Sequence, residues 1–434
     1  MKKIRVGIVG FGTIGAGVVK ALKSKRSYLR DKSGIDIDIV RICDKDLKAK
    51  RPVSVSKRLL TKSFGKVIYD PEVDIVVELI GGIEPAKYIV MESLRSGKSV
   101  VTANKALLSD SGPEIFALAG ELGLSVGFEA SVGGGIPIIR AMKEGFIANR
   151  FDLVYGIING TSNFVLSKMA EEKVSFDEAL KIAKLKGYAE RDPYLDISGG
   201  DSAHKLSILA NLGFGVASKG SGIFTEGIDG IDRDDIEYAA EMGYAIKLLA
   251  IAKRSGDEVE LRVHPTLIPK THLLSSVSGI YNAIFVKGDL VGENLFYGQG
   301  AGALPTSSAI VSDIIAIAKN TSFSCCGGRR ASGKPAPAIS KALRIKRIGD
   351  VRTRYYIRFI ALDKPGVLAG ISGILAKYGI SIASVTQKER RAGGDVPIVM
   401  MTHDSPEKDM SKALGEIKAL KVISKKLVRI RVEN

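Results

Sequence analysis

The chain has 434 residues, 45% of them hydrophobic, with 64 basic and 47 acidic side chains and a formal net charge of +17. At about 150 residues per domain, this length predicts roughly three compact units. The basic residues are scattered and lack interleaved aromatic side chains, which favours a charged solvated surface over a nucleic-acid interface. No run of about 18 uncharged apolar residues occurs, so no membrane-spanning helix is expected.

Three cysteines, Cys43, Cys325 and Cys326, are too few and too poorly spaced for a disulfide framework or a four-thiolate zinc site. This usage is typical of a reducing compartment. The amino-terminal segment has a basic start, but glycines interrupt its apolar run, and no small-residue cleavage pattern follows. We therefore expect a cytoplasmic protein with free thiols.

Strand-like and helix-like segments alternate over residues 1–130. Helices are expected near 85–96 and 113–122. The expected strands are Ile4–Val9, a segment containing Ile37, Ile39 and Ile42, and then Asp74–Ile80, Ser99–Thr102 and Leu124–Phe128. Such alternation predicts an α/β domain with a Rossmann-like, doubly wound parallel sheet.

Residues 131–320 begin within a glycine-rich loop, SVGGGIP, and mix helices with strands. The pattern predicts an α+β domain. Helices are expected near 163–171, 176–187 and 201–212, and strands at 152–158 and near 258–267, 279–287 and 291–297. An apolar helix at about 303–320 is expected to return the chain to the first domain.

The last part of the chain follows a segment, residues 321–351, whose Gly, Ser, Pro, Lys and Arg content and weak periodicity predict a linker. Residues 352–434 then predict the order βαββαβ, which is the ferredoxin-like arrangement. The expected strands are Arg354–Ala361, Ile380–Glu389, Pro397–His403 and Lys425–Arg431, and the expected helices are Val367–Tyr378 and Glu407–Leu420.

A glycine motif, G-x-G-x-x-G, follows the first strand and opens a helix. One glycine makes the tight turn, one lets the backbone approach a pyrophosphate, and one allows close helix packing, while the helix start attracts the anion. In this βαβ context the motif favours a dinucleotide site over a merely tight turn. The candidate cofactor-binding residues are Gly10, Phe11, Gly12, Thr13, Ile14 and Gly15.

Asp44 lies at the end of the second strand, where an acidic residue hydrogen-bonds the ribose hydroxyls of NAD. Basic residues surround it in sequence, and any of them suits the 2′-phosphate of NADP. We therefore expect NADP as cofactor, with NAD as the alternative. The basic residues around Asp44 are equally consistent with a solvated surface run that binds no ligand. They are Arg41, Lys45, Lys48, Lys50, Arg51 and Lys57.

The stretch GYAERDPYLDISGGDSAHK, residues 187–205, places several carboxylates near one lysine. Lysine serves as acid/base when burial or a second cation lowers its pKa, and carboxylates hold a substrate ammonium group. Asp201 and Lys205 are four apart, on one helical face. The alternative is a surface loop with an ordinary exposed ion pair. His204 lies on another face of the helix, and we interpret it as a structural residue rather than a catalytic one.

Seven motifs in chain order resemble the homoserine dehydrogenase family, and the last part of the chain resembles an ACT domain. The resemblance covers the whole chain. The motifs are GFGTIGAGV at 10–18, VELIGGIEPA at 77–86, TANKALLS at 102–109, FEASVGGGIPII at 128–139, NGTSNF at 159–164, GYAERDPYLDISGGDSAHKL at 187–206 and GQGAGALPTSSAIVSD at 298–313.

The resemblance implies NAD(P)-dependent interconversion of L-homoserine and L-aspartate 4-semialdehyde, on the route to threonine, isoleucine and methionine. Lys205 would exchange a proton with the substrate oxygen. Lys105 would lie between nicotinamide and substrate, where its ammonium disfavours protonation of Lys205. The carboxylates of Glu190, Asp196 and Asp201 would bind or orient homoserine. Gly302 would approach the cofactor.

Further expectations concern ions, subunits and regulation. The family resemblance implies a monovalent cation, Na⁺, held mainly by backbone oxygens of Glu129, Val132, Gly134 and Ile136, although a glycine-rich hinge explains that loop as well. It also implies a homodimer or homotetramer, with residues 131–320 binding substrate and dimerising. The loop Asp363–Leu368 would bind threonine as inhibitor, so a chain ending near residue 320 should escape inhibition. An ACT domain used only for dimer contacts is the alternative.

Two other functions compete with this interpretation. Aspartate-semialdehyde dehydrogenase needs a thioester-forming cysteine with a base, and only Cys43 precedes the linker. A non-catalytic sensor of nucleotide and amino acid is the second rival. Loss of the acid/base lysine would support the sensor, yet both candidate lysines are present. Neither nucleic acid nor membrane is expected as a partner.

Overall fold

The computed structural model describes residues 1–323, 329–331, 343–387 and 394–433, with the side chains of 321–323, 329–331 and 424–426 left out. Cys325 and Cys326, and most of the predicted linker, lie outside these residues. The chain forms two compact units. The first contains 1–150, 207–222 and 296–342, and the second contains 151–206, 223–295 and 343–434.

Residues 1–150 form a parallel sheet of six strands in the order β3-β2-β1-β4-β5-β6, which confirms the predicted Rossmann-like fold. Its strands are β1 (Lys2–Val9), β2 (Ile35–Cys43), β3 (Leu60–Thr61), β4 (Ile75–Glu78), β5 (Ser99–Thr102) and β6 (Val126–Gly127). The helices are α1 (Thr13–Ser24), α2 (Arg26–Ser33), α3 (Gly65–Ile68), α4 (Ala86–Arg95), α5 (Lys105–Glu121) and α6 (Ile138–Arg140).

Residues 151–323 mix helices with mostly antiparallel strands, as the α+β prediction requires. The strands are β7 (Phe151–Ile157), β8 (Phe224–Thr225), β9 (Tyr244–Ser255), β10 (Glu258–Pro269), β11 (Tyr281–Gly288), β12 (Gly292–Gln299) and β13 (Thr321–Phe323). The helices are α7 (Gly160–Glu172), α8 (Phe176–Leu185), α9 (Tyr194–Ile197), α10 (Gly200–Phe214), α11 (Arg233–Glu241) and α12 (Ala303–Asn320). α12 belongs to the first unit.

Residues 352–433 have the predicted βαββαβ order, with one short extra strand, β19 (Ser405–Pro406). The other strands of this domain are β16 (Arg352–Leu362), β17 (Ile382–Thr386), β18 (Asp395–Thr402) and β20 (Ile423–Val432), and its helices are α13 (Val367–Lys377) and α14 (Glu407–Lys418). Two short strands, β14 (Arg329–Ala331) and β15 (Arg344–Ile345), precede it. The antiparallel order β20-β16-β18-β17 confirms the ferredoxin-like arrangement.

One sheet runs through the second unit, in the order β12-β11-β7-β9-β10-β20-β16-β18-β17. The strand β20 of the ferredoxin-like domain pairs in parallel with β10, at Thr266 with Arg431 and Leu267 with Val432. The sequence did not predict this continuity, because nothing local distinguishes a strand that pairs within its own domain from one that pairs outside it. The boundaries expected at 130, 320 and 351 remain predictions.

Two of the differences from the sequence prediction concern β9 and α5. β9 was missed because seven consecutive residues, from Ile246 to Ala252, are buried, so the strand shows no apolar–polar alternation. The predicted start of α5 near residue 113 was wrong, since the helix begins at Lys105 and contains Pro113. Among the described helices, none combines the length and the apolar character that a bilayer crossing needs.

Candidate active site

The glycine loop after β1 gives each of its glycines a different role. Gly10 has φ +105°, and a Cβ there would lie 2.6 Å from the Leu79 carbonyl oxygen. A Cβ on Gly15 would lie 2.1 Å from the Gly10 oxygen, whereas a Cβ on Gly12 would meet no atom within 4 Å. The open side at Gly12, beside the first N–H groups of α1, therefore fits a pyrophosphate.

Asp44 directly follows β2, but its carboxylate supports the glycine loop. Its Oδ2 accepts the Phe11 N–H at 2.6 Å, and its Oδ1 lies 3.2 Å from the Arg51 guanidinium. Arg51 also donates to the Phe11 carbonyl at 2.5 Å and lies 4.6 Å from the centre of that ring. Of the basic residues near Asp44 in sequence, Arg51 is thus the one packed against the loop, while Arg41 pairs with Asp70 at 2.9 Å.

Hydrogen bonds tie the ends of β4 and β5 to the start of α5. Thr102 donates to the buried carboxylate of Glu78 at 2.6 Å, and burial raises the pKa of Glu78. Asn104 accepts the Leu107 N–H at 3.1 Å, which caps α5, and donates to the Gly82 carbonyl at 2.6 Å. Lys105 is therefore the first helical residue at the carboxyl edge of a parallel sheet, where ligands of such folds bind. Glu78 and Asn104 were not among the candidates from the sequence, although Asn104 carries a helix-capping signal.

Gly302 lies in an exposed turn directly before α12, with φ +116°. α12 packs closely on α1, because a Cβ on Gly17 would lie 2.5 Å from the Ser307 hydroxyl oxygen and 3.1 Å from the Ala303 carbonyl oxygen. The two helices belong to the same unit, and α12 begins opposite the second turn of α1. This packing brings the turn at Gly302 toward the Gly10–Gly15 loop.

Lys205 lies on α10 with only 8% of its surface exposed. Its Nζ donates to Asp201 Oδ2 at 2.7 Å and to the Ile158 carbonyl at 2.6 Å. Asp201 is 2% exposed, so the alternative of an ordinary surface ion pair is wrong. In this setting the carboxylate favours the ammonium form of the lysine.

The other acids of residues 187–205 have different surroundings. Asp196, half-buried on α9, accepts a hydrogen bond of 2.7 Å from the Asn159 amide, which also donates to Asp201 at 2.8 Å. Glu190 and Asp192 are exposed, and Asp192 accepts the Tyr194 N–H at 3.1 Å. Asp196, Asp201 and Lys205 thus form one cluster, which no hydrogen bond or ion pair among the described residues extends to Glu190.

Asn159 was not among the candidates from sequence, although it carries a signal. It directly precedes α7, where an asparagine is a preferred cap, and its Oδ1 accepts the Ser162 N–H at 2.8 Å. The carboxylates that it contacts, on α9 and α10, lie 37 and 42 residues further along the chain. Such distant contacts leave no mark on local sequence pattern.

The loop expected to hold a monovalent cation is buried at Val132 and Ile136. A Cβ on Gly134, which has φ +56°, would lie 2.5 Å from the Gly300 carbonyl oxygen. The Glu129 carboxylate accepts the N–H groups of Ile139 and Arg140 at 2.8 and 2.9 Å, so it is occupied with backbone. No cluster of three or more His, Cys, Asp or Glu side chains suited to a metal occurs among the described residues. The family resemblance assigns the cation to backbone oxygens of this loop, a donor type that suits a hard cation. Of these oxygens, that of Ile136 accepts the Ile138 N–H at 2.8 Å.

Asp313 of α12 supports the same loop. Its Oδ2 accepts the Glu129 N–H at 2.8 Å, and its Oδ1 lies 3.4 Å from the Arg140 guanidinium. Burial raises the pKa of Asp313 to about 7. A Cβ on Gly127 would lie 2.7 Å from the Asp313 Cβ, so only glycine fits at this point of β6.

Cys43 is a free thiol at the end of β2, with 5% of its surface exposed. Burial, with a smaller effect of Asp44, raises the pKa of Cys43 to about 11. Because the thiolate is the nucleophile, a thiol with so high a pKa is a poor one. This environment argues against the rival that needs a thioester.

Three family models match the chain in order. The model described as "Homoserine dehydrogenase, NAD binding domain" matches residues 10–129. The model "Homoserine dehydrogenase" matches residues 137–315, and "ACT domain" matches residues 355–422.

Full-length relatives agree with these models. The chain is 42% identical over 434 residues to the homoserine dehydrogenase of Neisseria gonorrhoeae, covering 100% of this chain and 99% of that protein. It is 39% identical to that of Bacillus subtilis with the same coverage. The crystal structure of a homoserine dehydrogenase from Thiobacillus denitrificans superposes with a TM-score of 0.91, at 44% identity, over 100% of this chain and 99% of that one.

Proposed function

The chain belongs to the homoserine dehydrogenase family, an oxidoreductase family with a nicotinamide-dinucleotide domain and here an ACT domain, and from this premise we propose which residues carry the reaction. The reaction interconverts L-homoserine and L-aspartate 4-semialdehyde. The observation that carries the proposal is the buried ammonium of Lys205, held by Asp201 and the Ile158 carbonyl.

Lys205 is the acid/base of this proposal. In the oxidation, its neutral amine accepts the proton of the substrate hydroxyl while the C–H bond breaks, the hydride leaves and the C=O bond forms. In the reduction, its ammonium returns the proton to the carbonyl oxygen. A bound nicotinamide ring supplies the hydride acceptor or donor. A lysine needs a positioned, partly desolvated amine for this task, and its 8% exposure meets that need.

Carboxylates bind the substrate in this proposal. Asp201 and Asp196 lie side by side and offer negative charge to the ammonium group of homoserine. Glu190 is exposed, so it is the substrate-binding candidate with the least structural support. Lys105, at the start of α5, is proposed to contact nicotinamide or substrate.

NADP is the proposed cofactor, with NAD as the alternative. Gly10–Gly15 and the start of α1 would hold the pyrophosphate, and Gly302 would approach it from the start of α12. What favours NADP is Arg51, whose guanidinium packs on Phe11 and pairs with Asp44, the residue after β2, where a 2′-phosphate would bind. Asp44, in contrast, is already bonded to Phe11 and Arg51.

We also propose a bound monovalent cation such as Na⁺. Its ligands would be the backbone oxygens of Glu129, Val132, Gly134 and Ile136. It would brace the loop between β6 and α6 without touching the reacting atoms. A homodimer or homotetramer and a cytoplasmic location are proposed from the family resemblance and the sparse cysteines.

Threonine is the proposed inhibitor, bound where Asp363–Leu368 leads into α13. Gly366, with φ +88°, precedes the helix, whose first N–H groups are suited to a carboxylate. The pairing of β20 with β10 supports a mechanical link from this domain to the catalytic part. The same pairing makes a chain ending near residue 320 a poor test, because it would expose the edge of β10.

The deciding experiment follows reduced-nicotinamide absorbance with homoserine and NADP or NAD. We expect Lys205→Ala to lose turnover by about a hundredfold or more, the usual worth of a positioned acid/base. Lys247→Met is the matched control, because Lys247 is another lysine of the second unit that is only 5% exposed. Normal turnover by Lys205→Ala would contradict the assignment, and absence of turnover in the wild-type protein would favour the sensor.

A further inference from the structure

Asn159 joins three helices of the second unit through one side chain. It is 5% exposed and sits between β7 and α7. Its Oδ1 caps α7 by accepting the Ser162 N–H, and its Nδ2 donates to Asp196 on α9 and to Asp201 on α10. The acid-rich segment, residues 188–196, and the helix that carries Lys205 are therefore fixed to the start of α7.

The two carboxylates need a group of this kind between them. Asp196 Oδ1 and Asp201 Oδ2 lie 2.7 and 2.8 Å from the same nitrogen, so their charges are close to each other. An asparagine amide is neutral and has two N–H bonds, one for each carboxylate. A serine offers one donor, and an aspartate would add a third negative charge.

The same contacts lead to Lys205. Asp201 Oδ2 accepts from both Asn159 Nδ2 and Lys205 Nζ, the latter at 2.7 Å. The Ile158 carbonyl, which belongs to the preceding residue, accepts from Lys205 at 2.6 Å. Residues 158 and 159 thus define the place of the ammonium, one directly and the other through Asp201.

The surrounding hydrogen bonds make this arrangement rigid. The Ser162 hydroxyl donates to the Asp196 carbonyl at 2.8 Å, and the Thr161 hydroxyl donates to the Tyr188 carbonyl at 2.7 Å. The first turn of α7 therefore holds both ends of the acid-rich segment. A side chain at 159 is fixed relative to α9 before any substrate arrives.

We propose that Asn159 is a positioning residue for proton transfer. Its amide holds Asp201 against Lys205, neutralises part of the Asp201 charge, and keeps Asp196 at a set distance for the substrate ammonium group. It acts through Asp201 and does not touch the reacting atoms. The inference rests on the proposed role of Lys205.

The test uses Asn159→Ser and Asn159→Asp in the full chain. Serine and aspartate are both good helix caps, so both variants keep the α7 cap and lose the bridging amide. We expect kcat to fall at least about tenfold in both, with the KM for the cofactor changed less than about twofold.

The pH profile separates positioning from a merely structural role. Without the amide, the Asp201 charge is less neutralised and holds the Lys205 proton more firmly. In a plot of kcat/KM for homoserine oxidation against pH, the limb that reflects deprotonation of the base, Lys205, should therefore move to higher pH. The shift should be larger for Asn159→Asp, which adds a negative charge.

Two controls make the outcomes distinct. Ser175→Ala removes the exposed capping box of α8, so it should lower the unfolding midpoint without changing the pH profile. Lys205→Ala tests the proposed function itself. If Lys205→Ala abolishes turnover while Asn159→Ser keeps wild-type kcat and pH profile, the role of Asn159 is wrong and that of Lys205 stands. Failure of both Asn159 variants to fold despite the retained cap would also overturn the inference, because it would assign the residue to structure alone.

Discussion

Arg431, on the last strand of the chain, donates a hydrogen bond of 2.6 Å to Glu226, which lies 205 residues earlier. The Arg431 side chain is fully buried, and its guanidinium also donates to Glu407 at 2.7 Å. Two residues after Glu226, the Ile228 N–H donates to the Ile197 carbonyl at 2.9 Å, on the helix that carries Asp196. A contiguous path of contacts thus joins β20 to the helix α9, which carries the proposed substrate-binding residue Asp196.

Glu226→Gln should destabilise the protein. Burial alone would raise the pKa of Glu226, but its bonds with Arg431 and Arg429 outweigh burial and lower that pKa. Neutralising it leaves a buried guanidinium with less countercharge, so we expect the free energy of unfolding to fall by about 2 kcal/mol at pH 7. Urea denaturation measures this loss. The exposed pair Lys287–Glu293 is the control, and Glu293→Gln should cost less than about 1 kcal/mol. Equal losses of unfolding free energy in the two variants would contradict a larger contribution from the buried ion pair.

Threonine inhibition should depend on the start of α13. At Gly366, φ is +88°, so Gly366→Ala strains the loop where the carboxylate is proposed to bind. We expect the threonine concentration for half-inhibition to rise at least about tenfold, with uninhibited turnover nearly unchanged. Gly379→Ala places the same kind of strain, at φ +68°, at the other end of α13. A similar loss of inhibition in both variants would point to general disruption of the domain.

Cofactor choice should depend on Arg51. Arg51→Leu removes a cation beside the expected 2′-phosphate, and a charge-assisted hydrogen bond of this kind contributes about 1.5–3 kcal/mol. We expect the KM for NADP to rise by about tenfold or more, with a smaller change for NAD. Arg41→Leu removes a neighbouring cation that is bound to Asp70, so it should not discriminate between the cofactors. An equal effect of Arg51→Leu on both cofactors would assign the residue to support of the Phe11 loop alone.

Lys247→Met should stabilise the protein in a pH-dependent way. Burial lowers the pKa of Lys247 from 10.5 to about 8, so the unfolded chain binds more protons between these values. The lysine therefore costs stability below pH 8, by about 3 kcal/mol, and the cost disappears as pH rises toward 10.5. After subtraction of the bond to the Val277 carbonyl, worth about 1 kcal/mol, the gain at pH 7 should be about 2 kcal/mol. Unfolding free energies from pH 7 to 9.5 should show the gain shrinking, and a constant gain would contradict the shift.

Cys43 should react slowly with alkylating reagents. Its thiol is buried, and its pKa is raised to about 11, so little thiolate exists at pH 8. We expect the native protein to be modified at this position far more slowly than the urea-unfolded chain, as mass spectrometry of the Cys43 peptide measures. Cys43→Ala should keep turnover within about twofold. Loss of turnover would revive a mechanism through a thioester.

Local patterns predicted the parts of the site that local chemistry dictates. The glycine loop follows from the steric demands at Gly10 and Gly15, which hold in any chain that turns so tightly after a strand. The pairing of Asp201 with Lys205 follows from their spacing on a helix. Burial of that pair did not follow, because an exposed helix has the same spacing.

The features that sequence missed depend on distant contacts. Asn159 meets its carboxylates only after α9 and α10 have packed against α7. Arg431 has the charge of many surface arginines, but β20 lies between β10 and β16, where Arg431 pairs with Thr266 on one side and Tyr355 on the other. Asp44 fits the ribose-binding position by pattern, yet the nearby Arg51 and Phe11 engage its carboxylate.

The buried position of Glu433 has a practical consequence for the preparation of this protein. Its carboxylate accepts from Arg262 at 2.5 Å and from Tyr155 at 2.5 Å, and it is 4% exposed, whereas Met1 is 84% exposed. A modification that displaced Glu433 would break these bonds and leave the buried Arg262 guanidinium with less countercharge. Fluorophores and surface tethers therefore belong on exposed side chains such as Lys287 rather than beside Glu433.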